Sequence, residues 1–191
     1  MSWRTANGEP TKSDISKKVR GTQGTGNNEW FTPAEYVELA RRVLSGIDLD
    51  PASNALAQRT VQAGQFFTKE QNGLDQEWSG AIWLNPPYAQ PFIERFADKM
   101  IAEIAAGRVK AAIVLTHNYT DTAWFHKLAG CADAICFTRG RIRFRAADGS
   151  LASPTQGQAF FYVGPDVAQF SAVFSAVGFV LNPRRANVQL R

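Results

Sequence analysis

The sequence predicts one α/β domain, a mostly parallel sheet with an antiparallel edge. Three observations carry this. From residue 30 onward, short apolar runs of strand length alternate with stretches of helical period, the order expected of a sheet covered by helices. Later, two apolar runs, 134–137 and 159–163, follow one another with no helical pattern between them, which suggests an antiparallel pair closing one edge. Finally, 191 residues with 45% hydrophobic content can bury one sizeable core but hardly two.

Residues 1–28 are polar, rich in Gly, Ser, Thr and Asn, and carry Arg4, Lys12, Lys17, Lys18 and Arg20, so they read as a flexible basic arm ahead of a domain over 29–191. Order should begin at Trp30-Phe31-Thr32-Pro33. Thr32 is placed to cap a helix over about 33–45 whose first position is Pro33 and whose apolar face is Tyr36, Val37, Leu39, Ala40, Val43 and Leu44. Gly46 ends it, and Ile47-Asp48-Leu49-Asp50 forms a short strand stopped by Pro51, leaving both carboxylates at or near a strand's carboxyl end. A helix over 54–61, a short strand at 65–67, a polar turn at Gln71-Asn72-Gly73 and the apolar strand 81–84 follow. That strand runs straight into Asn85-Pro86-Pro87-Tyr88. Next come an amphipathic helix over about 91–106, a buried strand over 111–116 and a helix around 122–129. The last elements are the strands 134–137 and 159–163, separated by a charged stretch and a Gly/Ser/Pro-containing loop.

The net charge of +4 points weakly toward an anionic partner. Two cysteines, Cys131 and Cys136, without a His/Cys cluster at ligand spacing argue for a reduced protein without structural zinc or other metal. The amino terminus lacks the apolar region of a signal peptide, and no apolar run approaches the roughly 20 residues that span a bilayer. A cytoplasmic location is expected.

The motif that carries chemistry is Asn85-Pro86-Pro87-Tyr88. Two consecutive prolines remove two backbone donors and fix φ, so the loop is a rigid set of acceptors. An exocyclic amine such as N6 of adenine is a poor nucleophile while its lone pair is conjugated. Hydrogen bonds from its two N–H groups to the Asn85 side-chain oxygen and the Pro86 carbonyl would favour a pyramidal nitrogen able to attack a sulfonium methyl. No strong base is demanded, because the methylated nitrogen loses its proton afterwards. Tyr88 offers a face on which a base flipped out of a duplex can stack. The alternative is a rigid turn with a partly buried tyrosine.

Arg139, Arg141, Arg143 and Arg145 alternate with Gly140, Ile142 and Phe144, so a strand here would project all four from one face, as phosphate contacts require. The same pattern also suits a solvated sheet edge. Ser153-Pro154 and Gln156 follow in a loop that can reach base edges. His117 and Asn118 end an apolar strand and are left outside the catalytic set.

Asn85-Pro86-Pro87-Tyr88 is similar to the fourth motif of amino-methyltransferases. Together with Trp30-Phe31-Thr32-Pro33, Asp48-Leu49-Asp50-Pro51-Ala52-Ser53 and Asn72-Gly73-Leu74 before Trp78, it resembles the phage-type Dam-like DNA adenine-N6 methyltransferases over roughly residues 29–163. The resemblance implies a Rossmann-like sheet that binds S-adenosylmethionine beside a pocket for a flipped adenine of double-stranded DNA. It implies cofactor contacts at Trp30, Thr32, Pro33, Asp48, Asp50, Pro51, Ala52 and Asn72. Thr32-Pro33 and the helix start would hold the methionine carboxylate, Asn72 the cofactor's adenine, and Asp50 more than Asp48 would face the cofactor, near either the methionine part or the ribose. The chain departs from many methyltransferases in lacking a Phe-x-Gly-x-Gly loop. The same acceptor loop suits cytosine N4, guanine N2 of RNA or a protein glutamine, and a DNA-binding module with a degenerate cofactor pocket is the non-enzymatic alternative.

Overall fold

The computed structural model describes residues 30–146, 148–151 and 155–183. The basic arm and Ser153-Pro154 lie outside the described residues. Seven strands form one sheet: β1 (Leu49–Asp50), β2 (Gln65–Phe66), β3 (Gly80–Leu84), β4 (Val109–His117), β5 (Ala134–Thr138), β6 (Gln158–Val163) and β7 (Gly178–Leu181). Their order across the sheet is β2-β1-β3-β4-β6-β5-β7. The half from β2 to β4 is parallel, whereas β6 runs antiparallel to both β4 and β5, and β7 antiparallel to β5.

Alternation along the strands explains the layers. Ile82, Leu84, Val114 and Phe161 face one way, against α3 (Phe92–Ala105) and α4 (Ala123–Cys131) through Ile93, Phe96, Met100, Trp124 and Phe125. Trp83, Ile113, Leu115, Phe160 and Tyr162 face the other way, against α1 (Ala34–Leu44) and α5 (Val167–Phe174) through Val37, Ala40, Val43, Phe170 and Phe174. Helices on both faces of a mixed sheet give the three-layer α/β architecture.

Four expectations are corrected. The antiparallel strand 158–163 is not at the edge: β6 is inserted between β4 and β5, and β7 is the edge strand. Only Gln58–Val61 of the expected helix over 54–61 is helical, as α2, because the Asn54 side chain accepts from Leu56 N and Ala57 N at 2.9 Å and holds a turn ahead of it. Thr32 does not cap α1, since Pro33 is the N-cap and no side chain caps the helix. The arginine stretch is not a strand. Gly140, at φ 80°, turns the chain out of β5, and only Arg145 pairs, with Phe31 and Leu151. The alternation nevertheless survives over 141–145, with Ile142 and Phe144 buried and Arg141, Arg143 and Arg145 exposed.

Candidate active site

Parallel strands end together, so β1, β3 and β4 deliver Asp50, Asn85 and His117 to the same end of the sheet. Because β6 is antiparallel to β4, with His117 opposite Gln158, the loop before β6 enters the sheet at that end too. The topology therefore brings the arginine loop to the strand-end crevice, where ligands of such sheets bind.

Asn85 follows β3 directly. Its Nδ2 donates to Thr32 Oγ1 at 3.1 Å, and its Oδ1 accepts from the Tyr88 hydroxyl at 2.6 Å. The same hydroxyl lies 3.4 Å from Leu115 O. The carboxamide is thus held at both ends, with one lone pair of Oδ1 still available. Pro86 is buried and Pro87 exposed. Tyr88 is half-buried, and burial pushes its hydroxyl pKa well above the ordinary value, so it stays protonated.

Thr32 itself is buried, and its neighbour Phe31 exchanges backbone hydrogen bonds with Arg145, N to O at 2.8 Å and O to N at 2.9 Å. Residues 31–32 therefore tie the acceptor loop to the arginine loop. Arg141, Arg143 and Arg145 line a cavity of about 310 Å³ with Pro33, Glu35, Tyr36 and Leu151. Arg139 does not line it, and its backbone N–H is bonded to Val177 O. Gln158, buried at the start of β6, pins this loop: its Oε1 accepts from Ile142 N at 2.9 Å and its Nε2 donates to Gln156 O at 2.8 Å.

Asp50 is buried at the end of β1. Its carboxylate accepts from Gln58 Nε2 at 3.0 Å and, at a long 3.4 Å, from Ala52 N. Burial pushes its pKa up to about 6, against the lowering effect of Ser53, Ala52 and Gln58. Gly73 packs on the loop behind it so closely that a Cβ there would sit 1.9 Å from Pro51 O, and Trp78 Nε1 donates to Gly73 O at 2.7 Å.

Two expected cofactor residues are separated from the crevice or occupied. Asp48 lies at the amino end of β1, exposed, with Oδ2 accepting from Ala81 N at 2.8 Å and with Gly80 pressed against it. Asn72 adopts a left-handed conformation at φ 50°, and its Nδ2 donates to Asp75 Oδ2, so its side chain closes the turn before the 3₁₀ segment Gly73–Asp75. Trp30 is exposed, Pro33 and Pro51 are buried, and Ala52 is half-buried against the α3/α4 core.

His117, which the sequence leaves outside the catalytic set, lies against Tyr88 of the Asn85–Tyr88 loop. Its ring centroid is 4.1 Å from that of Tyr88 and 5.2 Å from that of Tyr119. The signal available beforehand was a polar residue terminating an apolar strand. Cys136 is buried, and burial pushes its thiol up to about 12, which makes it an inert packing residue. Among the described residues no cluster of three or more His, Cys, Asp or Glu can hold a metal ion, and no helix is long and apolar enough to cross a membrane.

Fold and site together define a mixed α/β protein whose strand-end crevice holds a rigid set of amide and carbonyl acceptors between a buried carboxyl and an arginine-lined cavity. Sequence comparison carries this further. The family model described as DNA N-6-adenine-methyltransferase (Dam) matches residues 21–163, and the chain belongs to that family. A DNA N-6-adenine-methyltransferase of Escherichia phage T1 is 28% identical over 123 residues, which cover 60% of this chain and 49% of the phage protein. A DNA N-6-adenine-methyltransferase of Haemophilus phage HP1 (strain HP1c1) is 28% identical over 126 residues, covering 64% of this chain and 69% of that protein. The chain thus spans about half the length of the first relative.

Proposed function

We propose that this chain is a DNA adenine-N6 methyltransferase that uses S-adenosylmethionine and acts on an adenine flipped out of double-stranded DNA. The observation that carries the reading is the Asn85 carboxamide, held by Thr32 and Tyr88 at the strand ends beside Asp50. Family membership and the names of both relatives support it.

The free lone pair of Asn85 Oδ1 and the Pro86 carbonyl accept the two N–H groups of the amine, which concentrates electron density on nitrogen. The loop is already rigid, so little reorganisation is needed at the moment of reaction. Tyr88, kept neutral by burial, orients Asn85 and offers its half-buried ring to the flipped base. When bound, S-adenosylmethionine supplies an electrophilic methyl on a sulfonium centre. The site suits such a group: Asp50 is a buried carboxyl whose raised pKa an ammonium or hydroxyl partner would relieve, and Pro51 and Ala52 beside it are small. Thr32 accepts from Asn85 and keeps its own proton for a carboxylate, with Pro33 and the start of α1 next to it and the exposed ring of Trp30 two residues away. Asp48 and Asn72 are left out, because their side chains are engaged elsewhere.

Arg141, Arg143 and Arg145 take DNA phosphates, and Arg139 contributes from outside their cavity. Acting on DNA, the enzyme works where the DNA is, in the cytoplasm of a bacterial host. The test is transfer of tritiated methyl from S-adenosylmethionine to unmethylated DNA, with sequencing of host DNA after expression to identify the base. Label on adenine is expected. No incorporation despite DNA binding would sink the proposal, and label on cytosine, RNA or protein would redirect it.

A further inference from the structure

His117 closes β4 against the acceptor loop, with its ring between those of Tyr88 and Tyr119 at 4.1 and 5.2 Å. Among the described residues it holds the one buried side-chain nitrogen or oxygen without a hydrogen-bond partner, Nδ1. Leaving a buried polar atom unpaired carries its full desolvation cost, so in a native structure it calls for an explanation. Packing alone does not supply one, because a phenylalanine would fill the same space without that cost. Desolvation draws the ring's pKa down to about 4, against an opposing hydrogen bond between the ring and the Gly157 backbone, so the imidazole is neutral and its unpaired Nδ1 offers hydrogen bonding rather than charge.

We propose that His117 is a contact of the target base: a polar group on the edge of the base held against Tyr88 supplies the hydrogen bond that Nδ1 lacks. This rests on reading residues 85–88 as the loop that holds the base. The unpaired nitrogen then acts as a selector. A base whose edge matches it completes the bond, and one that does not leaves it buried and unsatisfied, a penalty that discriminates more strongly than an apolar contact.

The experiment is a cycle between residue and base. Dissociation constants are measured for the parental chain and for His117→Phe, each with two duplexes of the sequence that the parental chain retains most strongly from a random-sequence DNA pool, one intact and one abasic at the adenine whose loss weakens parental binding most. The expected result is that His117→Phe weakens binding to the adenine duplex at least fivefold, leaves binding to the abasic duplex within twofold, and does not lower the melting temperature. His117→Asn, which restores a polar atom near the position of Nδ1, should keep at least half of the parental preference for the intact duplex on a logarithmic scale, and His117→Leu takes the place of the Phe variant should that variant fail to fold. Equal effects of His117→Phe on both duplexes would show that the ring acts only by packing, and the proposal would fall. Since the readout is binding, a parental chain that shows the coupling yet transfers no methyl would sink the methyltransferase reading and leave the base contact standing.

Discussion

Thr32 and Asn85 are 53 residues apart in sequence, yet one hydrogen bond between them orients the carboxamide with Nδ2 toward Thr32. Removing the hydroxyl with Thr32→Val should cost about 1 kcal/mol of positioning, or roughly five- to tenfold in kcat, and raise the KM for S-adenosylmethionine as the carboxylate contact is lost, with Thr32→Ser restoring both. Steady-state kinetics checks this. A raised cofactor KM with kcat intact would leave Thr32 its cofactor contact and remove it from the positioning of Asn85. Asp50 and His117 make opposite contributions to the pH dependence of stability. Asp50 is raised from 3.8 to about 6, so the folded state keeps its proton longer and this group lowers stability as pH rises through that window. His117 is lowered from 6.5 to about 4, so the unfolded state binds more protons and stability rises with pH between those values. The two slopes offset each other in the parental chain. Asp50→Asn should unmask the His117 slope, seen as a melting temperature that climbs from pH 4 to 6.5. Asp50 should also make cofactor affinity fall as pH drops through about 6, a dependence absent in Asp50→Asn and measurable by titration calorimetry.

The strands and most helices were legible as elements because their apolar periods are strong, and β3, β4 and α3 start or end within two residues of the expected bounds. The stretch 139–145 was not, since alternating residues look alike whether a segment is hydrogen-bonded in a sheet or merely laid across the core. Here Ile142 and Phe144 anchor an extended loop, and Gln158 satisfies its backbone in place of a neighbouring strand. Arg141→Ala, Arg143→Ala and Arg145→Ala should each reduce the slope of log affinity against log salt by about 0.9 if each meets one phosphate. Filter binding from 50 to 200 mM salt reads this, and an unchanged slope in all three would remove the loop from the DNA interface. The loop at Gly73 is equally sensitive to its surroundings. A methyl group there meets the Pro51 backbone, which cannot yield as a flexible side chain does, so Gly73→Ala should lower the melting temperature and weaken cofactor binding together by displacing residues 51–53.

At the scale of the whole molecule, the long central strand β4 pairs with β3 between residues 109 and 114 and with β6 over 112–117, and the sheet is buried under helices on both faces. Native-state hydrogen exchange should therefore be slowest in β3, β4 and β6 and fastest in the two-residue edge strand β2 and in the arginine loop. Cofactor should add protection at residues 50–53 and 85–88, and DNA at 141–145. Protection by cofactor confined to other segments would contradict the assigned crevice. From the sequence by itself came the α/β class, the proline-fixed loop 85–88 directly after a strand, and the family, because hydrophobic period and a proline-fixed motif are local properties that survive without knowledge of neighbours. Only the tertiary structure could decide that Asp48 and Asp50, two residues apart, divide between the amino end of a strand and the crevice, or that Asn72 is taken up by Asp75. It also placed β6 inside the sheet, which carries the arginine loop to the end where β1, β3 and β4 finish, and it brought His117 to Tyr88. The reason is physical: strand order and side-chain partnership are settled by which distant groups satisfy one another's hydrogen bonds and burial, and a linear pattern does not record those pairings.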